Sequence, residues 1–428
     1  MLLVEAQSAL SRSLWGKRHR FRQPLYDSYG FNRLPATFEY LLTGNAELLG
    51  QALPAPVWKH LQPPYEQLVV LFIDAFGWQF FQKYVQGLPF LKRFADDGLL
   101  VPLSSQFPST TAAHVTCLHM GLPVGQSGVF EWNYFDPIAD EVISPLTFGI
   151  AGQRRETLKA QGFTAAQVLP PGPTLYQRLT TRGVTSFLYQ SVGYAESTFT
   201  LHAAAGATLA GFTDLAHACA QVRQEVERPL TAPRYHLLYS DTIDAVCHLS
   251  GPNSMALGRA VHQTFITLEE HFFRPLAGKA GKCLVALIAD HGQTHIDPAT
   301  TVVLNEELPE LPGKLRTTRA GRPIRFGGSP RDLFLYVKEP HLSEVESDLT
   351  VLLGDRGEVW RTADLVAQGF FGVATPRLLD RLGNLVILPY EGESVYWRDN
   401  DFSPRPYYGH HGGLTPTEMD TGVHFLEL

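Results

Sequence analysis

Leu68-Val69-Val70-Leu71-Phe72-Ile73-Asp74 is a continuous apolar run that closes in a carboxylate. An unbroken apolar run of this length is what a strand buried on both faces needs, as in a parallel sheet covered by helices. A carboxylate at its carboxyl end lies where open α/β sheets place their ligands. The same grammar recurs at Tyr235-His236-Leu237-Leu238-Tyr239-Ser240 and at Cys283-Leu284-Val285-Ala286-Leu287-Ile288-Ala289-Asp290. Helical patterns fall around these runs, over residues 79–94, 111–119, 173–182, 211–227 and 253–271. Strand alternating with helix predicts an α/β fold with a doubly wound, mostly parallel central sheet flanked by helices.

Working outward, residues 1–60 carry scattered prolines and short helical patches and read as an N-terminal arm. Residues 61–305 and 372–428 read as the catalytic core, and 306–371 as an insertion forming a smaller lobe. A chain of 428 residues, 44% hydrophobic and 18% charged, has room for one large core plus such a lobe, which excludes a small binding module. The formal charge of −7 gives no electrostatic footprint for a nucleic-acid polymer. Any substrate phosphate must therefore be attracted locally. Cys117, Cys219, Cys247 and Cys283 are widely spaced and read as reduced thiols. With no apolar segment before residue 32 of signal-peptide type and no run long enough to span a bilayer, the expectation is a cytoplasmic protein without a membrane partner. No motif specifies an oligomeric state.

Three segments carry metal-ligand chemistry. In Asp290-His291-Gly292, adjacent Asp and His at a strand end can reach one ion while the glycine permits close backbone approach; a turn with a helix cap is the plainer reading. Asp244 and His248 are spaced i, i+4, on one face of a helical turn, as paired ligands or as a solvated surface contact. Asp74 reads as a ligand or as a cap at a strand-to-helix junction. In Gly409-His410-His411-Gly412-Gly413 at least one histidine is functional, because glycine-flanked histidine pairs are poorly explained by packing. His114, His119, His236 and His295 read as structural. Ser109-Thr110-Thr111 opens a helix, where a hydroxyl is an N-cap, a nucleophile activated by a nearby metal, or both.

At these residues the chain resembles the type I phosphodiesterase and nucleotide pyrophosphatase branch of the alkaline phosphatase superfamily. The elements, in family order, are Asp74, Phe107-Pro108-Ser109-Thr110-Thr111 leading to Gly121-Leu122-Pro123, the stretch from Asp244 to Pro252, Asp290-His291-Gly292 and His410-His411-Gly412. The resemblance implies two Zn²⁺ ions, with Mn²⁺ as a substitute: one held by Asp74, Asp290, His291 and the nucleophile, the other by Asp244, His248 and His411. It implies a covalent phospho-threonine intermediate. The distances from Pro108 and Gly121 select Thr111 as nucleophile, whereas the family's histidine four residues further on selects Thr110, by way of His114. The family's phosphoryl-binding Asn maps near Trp132-Asn133-Tyr134, which selects Asn133. A departure is Ala75, where many relatives have glycine. The expected activity is hydrolysis of a small phosphodiester or nucleotide. Its rivals are a phosphomonoesterase or phosphomutase on the same scaffold, and a non-catalytic metal- or ligand-binding regulatory protein. The absence of Lys and Arg between Arg93 and Arg154 favours diesters.

Overall fold

A computed structural model describes residues 1–279, 281–398 and 407–428. Seven strands build the central sheet: β1 (Gln67–Ile73), β2 (Leu99–Ser104), β3 (Thr185–Ser191), β4 (Thr208–Phe212), β5 (Arg234–Ser240), β6 (Cys283–Ala289) and, past the lobe strands β7 to β9 described below, β10 (Asp420–Glu427). Their spatial order is β2-β10-β6-β1-β5-β3-β4. Only β10 opposes the rest: it pairs antiparallel with both β6 and β2, while β6, β1, β5, β3 and β4 pair in parallel.

The apolar run of β1 follows from its central place. Side chains alternate between the two faces, so Leu68, Val70 and Phe72 enter one buried cluster and Val69, Leu71 and Ile73 enter the other. In β6, Leu284, Ala286 and Ile288 divide from Val285 and Leu287 in the same way. The register sets Ile288 beside Phe72 and Ser240 beside Ile73. Adjacent strands therefore end together, and Asp290, Asp74 and the turn before Asp244 emerge at one edge.

Two helices matter for the site: α1 (Thr111–Met120), every residue of which is buried, and α2 (Thr242–Ser250). The pattern expected over 79–94 is two helices, Trp78–Tyr84 and Pro89–Asp96, because Pro89 takes the first position of a new helix. The pattern over 211–227 begins too early: Gly211 and Phe212 end β4, and the helix runs Leu215–Glu227 after an Asp214 cap. The N-terminal segment lies along β2, with bridges Leu2–Leu100 and Gly30–Ser104, and buries Phe31, Leu34 and Phe38 in the main core.

A smaller antiparallel sheet has β9 (Leu385–Pro389) between β7 (Leu333–Leu335) and β8 (Gly357–Arg361), backed by α3 (Leu342–Leu353). Its apolar cluster runs from Val302 to Trp397, so the sheet draws on chain to both sides of the 306–371 segment, and its middle strand lies beyond residue 371.

Candidate active site

The sheet edge and two loops bring the seven predicted side chains together. His291 Nε2 lies 3.5 Å from Asp74 Oδ1 and 3.3 Å from Asp290 Oδ2. On the other side, His411 Nε2 lies 3.6 Å from Asp244 Oδ1, and His248 Nε2 lies 3.5 Å from Asp244 Oδ2. The His291 and His411 rings stack at 3.7 Å, joining the two halves. Two groups are tight enough to share an ion: Asp74, Asp290 and His291, and Asp244, His291 and His411. The second has His291 where the resemblance placed His248, which faces the other oxygen of Asp244.

Each imidazole is fixed by its second nitrogen. His291 Nδ1 donates to the Gly292 carbonyl, His411 Nδ1 to that of Ser109, and His248 Nδ1 to that of Gly409. A carbonyl only accepts, so Nδ1 holds the proton and Nε2 presents its lone pair inward, as a metal ligand must. Burial holds His291 and His411 well below the usual imidazole range, which keeps them neutral. The carboxyls respond in the opposite sense. Burial, then the charges of Asp290 and Asp244, push Asp74 well up, and burial raises Asp290 to about 7. Asp290 Oδ2 is buried with no hydrogen-bond donor among the described residues. Three clustered carboxylates with neutral imidazoles lack a positive charge, and oxygen and nitrogen donors of this kind suit divalent zinc or manganese.

Thr111 opens α1, and its Oγ donates toward Asp74 Oδ2 at 3.3 Å and lies 3.2 Å from His291 Nε2. Thr110 sits at the N-cap with no side-chain capping bond, its hydroxyl beside Glu131. His114, whose spacing selected Thr110, is spent on structure: Nδ1 donates to the Thr110 carbonyl at 2.7 Å and Nε2 accepts from Gln106 N–H at 2.9 Å. His119 likewise packs inside, 2.6 Å from the Tyr176 hydroxyl. The helix start is tied to the late glycine run, with Ser109 Oγ donating to Gly413 O at 2.7 Å and Ser109 N–H to Gly412 O at 3.1 Å. Gly412 has φ +122°, and a Cβ there would lie 2.5 Å from Ser329 Oγ.

Ala75 occupies left-handed backbone, φ +61°, the conformation for which glycine is the usual residue, and its N–H donates to Asp290 Oδ1 at 3.2 Å. Asn133 lines the cavity over the cluster, but its amide oxygen accepts from Ser144 Oγ at 2.5 Å, and among the described residues no hydrogen bond joins it to Thr111. Sequence reasoning missed two supports: the Tyr239 hydroxyl donates to Asp74 Oδ2, and Gln293 Nε2 donates to Asp244 Oδ1 at 2.5 Å. Each stands next to a quoted motif, Tyr239 near the end of β5 and Gln293 directly after Asp290-His291-Gly292. The cavity measures about 880 Å³, with Thr111, His248 and His411 on its floor and Trp132, Phe326 and Tyr407 among its walls.

The four cysteines are buried and unpaired, and no helix among the described residues is long and apolar enough to cross a membrane. No curated protein sequence matches the chain. Its fold is similar to that of murine ectonucleotide pyrophosphatase/phosphodiesterase 5, solved as an inactive variant in complex with AMP. The TM-score is 0.62 at 16% identity, over 84% of this chain and 87% of that one. The human ectonucleotide pyrophosphatase/phosphodiesterase 5 gives 0.61 at 15% identity, over 83% and 87%. The sequence model of the type I phosphodiesterase / nucleotide pyrophosphatase family, hydrolases of phosphoric ester bonds, matches residues 68–414, and the chain belongs to that family.

Proposed function

We propose that the protein hydrolyses small phosphodiesters or nucleotide phosphoanhydrides through a covalent phospho-threonine intermediate, with two zinc ions as its cofactor. The observation that carries this reading is the Thr111 hydroxyl at a helix N-terminus, 3.3 Å from Asp74 and 3.2 Å from His291. Asp74, Asp290, His291 and Thr111 would hold one ion, and Asp244, His248 and His411 the other. When bound, such ions lower a hydroxyl's pKa and offset charge on phosphoryl oxygens. Thr111 Oγ gives up its proton to solvent and attacks phosphorus; a bond to threonine forms as the bond to the leaving oxygen breaks, and that oxygen takes a proton from solvent. Water then attacks the phospho-threonine, a P–O bond to water forms as the P–O bond to Thr111 breaks, and the proton that water loses restores the Thr111 hydroxyl. The N–H groups of the first turn of α1, which have no acceptor within the helix, would receive a non-bridging oxygen.

A small nucleotide substrate fits this reading, since the murine neighbour was solved with AMP. Preference for diesters is supported by the cations. Arg331 is fully buried in a two-bond pair with Glu418, and among the described residues lining the cavity Arg398 is the one Lys or Arg, paired with Glu306. Trapping tests the intermediate: brief incubation of the zinc-loaded enzyme with a ³²P-labelled aryl diester, followed by acid quench, should leave label on the peptide containing Thr111. A turning-over enzyme that never carries label on that peptide rejects the covalent route.

A further inference from the structure

Two carboxyl groups next to the nucleophile take no part in the metal cluster. Glu131 is 1% exposed and lines the cavity, with the Thr110 hydroxyl and the Trp132 and Asn133 N–H groups as its donors. Asp332 is wholly buried on the other side, where Oδ1 accepts from Ser329 N–H at 3.1 Å and from Ser329 Oγ at 2.5 Å. Ser329 Oγ also reaches the His411 carbonyl at 3.1 Å, and a Cβ on Gly412 would lie 2.6 Å from Asp332 Oδ1. The pair therefore stands between Thr110 and the His411-Gly412 turn, against the helix start where a phosphoryl group would meet Thr111. Glu131 Oε1 and Asp332 Oδ2 are buried without hydrogen-bond donors, and no ion pair to either residue is present among the described residues.

Burial, and after it the Glu131 charge, holds Asp332 well up, so Asp332 keeps its proton. Burial, offset in part by its three hydrogen-bond donors, raises Glu131 to about 7, and above that pH it is a carboxylate with no cation paired to it among the described residues. A phosphodiester brings one negative charge to the site; a monoester above neutral pH brings two, the second spread over free oxygens that the diester has esterified. Repulsion at short range inside a site of low dielectric is not screened as it is in water.

We propose that Glu131, held against Thr110 with Asp332 behind it, is a specificity-determining residue that rejects dianionic phosphate monoesters by charge repulsion. The inference rests on the diesterase reading above and adds a residue to it. It also accounts for selectivity that the mere absence of an arginine leaves small: a missing attraction lowers affinity for monoesters, whereas a fixed negative charge opposes them.

The test measures kcat/KM at pH 8.5 for p-nitrophenyl phosphate and methyl p-nitrophenyl phosphate on zinc-loaded wild type, Glu131→Gln, Glu131→Asp and Asp332→Asn. Both substrates are read on one preparation, so a partly folded fraction cancels from their ratio. In Glu131→Gln the monoester kcat/KM itself should rise, lifting the monoester-to-diester ratio tenfold or more. Glu131→Asp, which keeps the charge, should retain the wild-type ratio to within about threefold. Asp332→Asn leaves Glu131 charged and should also retain it. An unchanged ratio in Glu131→Gln, or one that changes only through lost diester turnover, overturns the role of Glu131 while leaving the diesterase reading intact. A wild type that favours the monoester tenfold or more overturns the diesterase reading itself, whatever the variants do.

Discussion

Thr111 and Thr110 are neighbours with different surroundings, and the difference makes a prediction. Thr111→Ala should lower turnover by roughly three orders of magnitude or more while the metal content stays near wild type, since the Asp and His ligands remain. Thr110→Ala should be far milder on turnover and cost about 1–3 kcal/mol in stability, because the buried Glu131 carboxyl loses a hydroxyl donor. Steady-state kinetics beside elemental analysis separates the two; the reverse pattern would make Thr110 the nucleophile. A second residue-scale prediction concerns Gln293. Gln293→Met keeps the shape but removes the donor to Asp244, and should weaken metal at that half of the cluster by about 10- to 100-fold, read by chelator competition. Equal affinity in the variant would reduce Gln293 to packing. The Asp and His side chains of the cluster were legible because a carboxylate ending an apolar strand, or a histidine set in glycine, has few reasons to exist. Gln293, Tyr239 and Glu131 were not, because their polar atoms acquire meaning only from what faces them across the fold. His114 pointed to Thr110 by spacing alone, and its imidazole is bonded to the carbonyl of Thr110, a use that spacing does not reveal.

At the scale of elements, β1, β5 and β6 were legible from their unbroken apolar runs, and their shared edge follows from parallel register. β10 was not marked out: Asp420-Thr421-Gly422-Val423-His424 mixes polar residues into a buried strand, and only pairing with β6 and β2 identifies it. α1 was expected over residues 111–119 and runs Thr111–Met120, though it is buried on every side and lacks the one-sided stripe by which surface helices are recognised. The lobe's middle strand lies beyond the expected segment because sheet partners need not be near in sequence. Arg331, at the foot of the lobe, meets Glu418 of the core with 2.8 and 2.9 Å bonds, both residues fully buried. Arg331→Met should therefore destabilise by about 3–5 kcal/mol, because Glu418 is left charged and buried without its partner. Denaturant titration measures this, and a double Arg331→Met/Glu418→Gln variant should recover a large part of the loss. No recovery would mean that packing, not charge, holds the lobe to the core.

Across the whole molecule, charge is distributed unevenly around one cavity. The chain carries a net −7, sets Asp244 in the cavity lining with Asp74 and Asp290 buried in the same cluster, and uses its nearby arginines in ion pairs with Glu418 and Glu306. A molecule so arranged needs cations to bind any phosphate. The purified protein should accordingly carry close to two zinc ions, lose activity to a chelator and regain it with zinc or manganese. Ligands that bind only the folded state stabilise it, so the chelated protein should also melt lower, by an amount set by free metal over its dissociation constant. Elemental analysis and calorimetry on matched samples check both halves. Full activity in a metal-free preparation would remove the cluster from the chemistry. Two bound ions would bring four positive charges to the three clustered carboxylates, which leaves little surplus to welcome a dianion. A diester, with one negative charge, asks for less compensation than a monoester with two, and no unpaired arginine lines the cavity among the described residues to make up the difference. The zinc-saturated enzyme should therefore turn over an aryl methyl or nucleotidyl diester with a higher kcat/KM than the matched aryl monoester, and the margin should narrow as pH falls toward 6 and the monoester takes up its second proton.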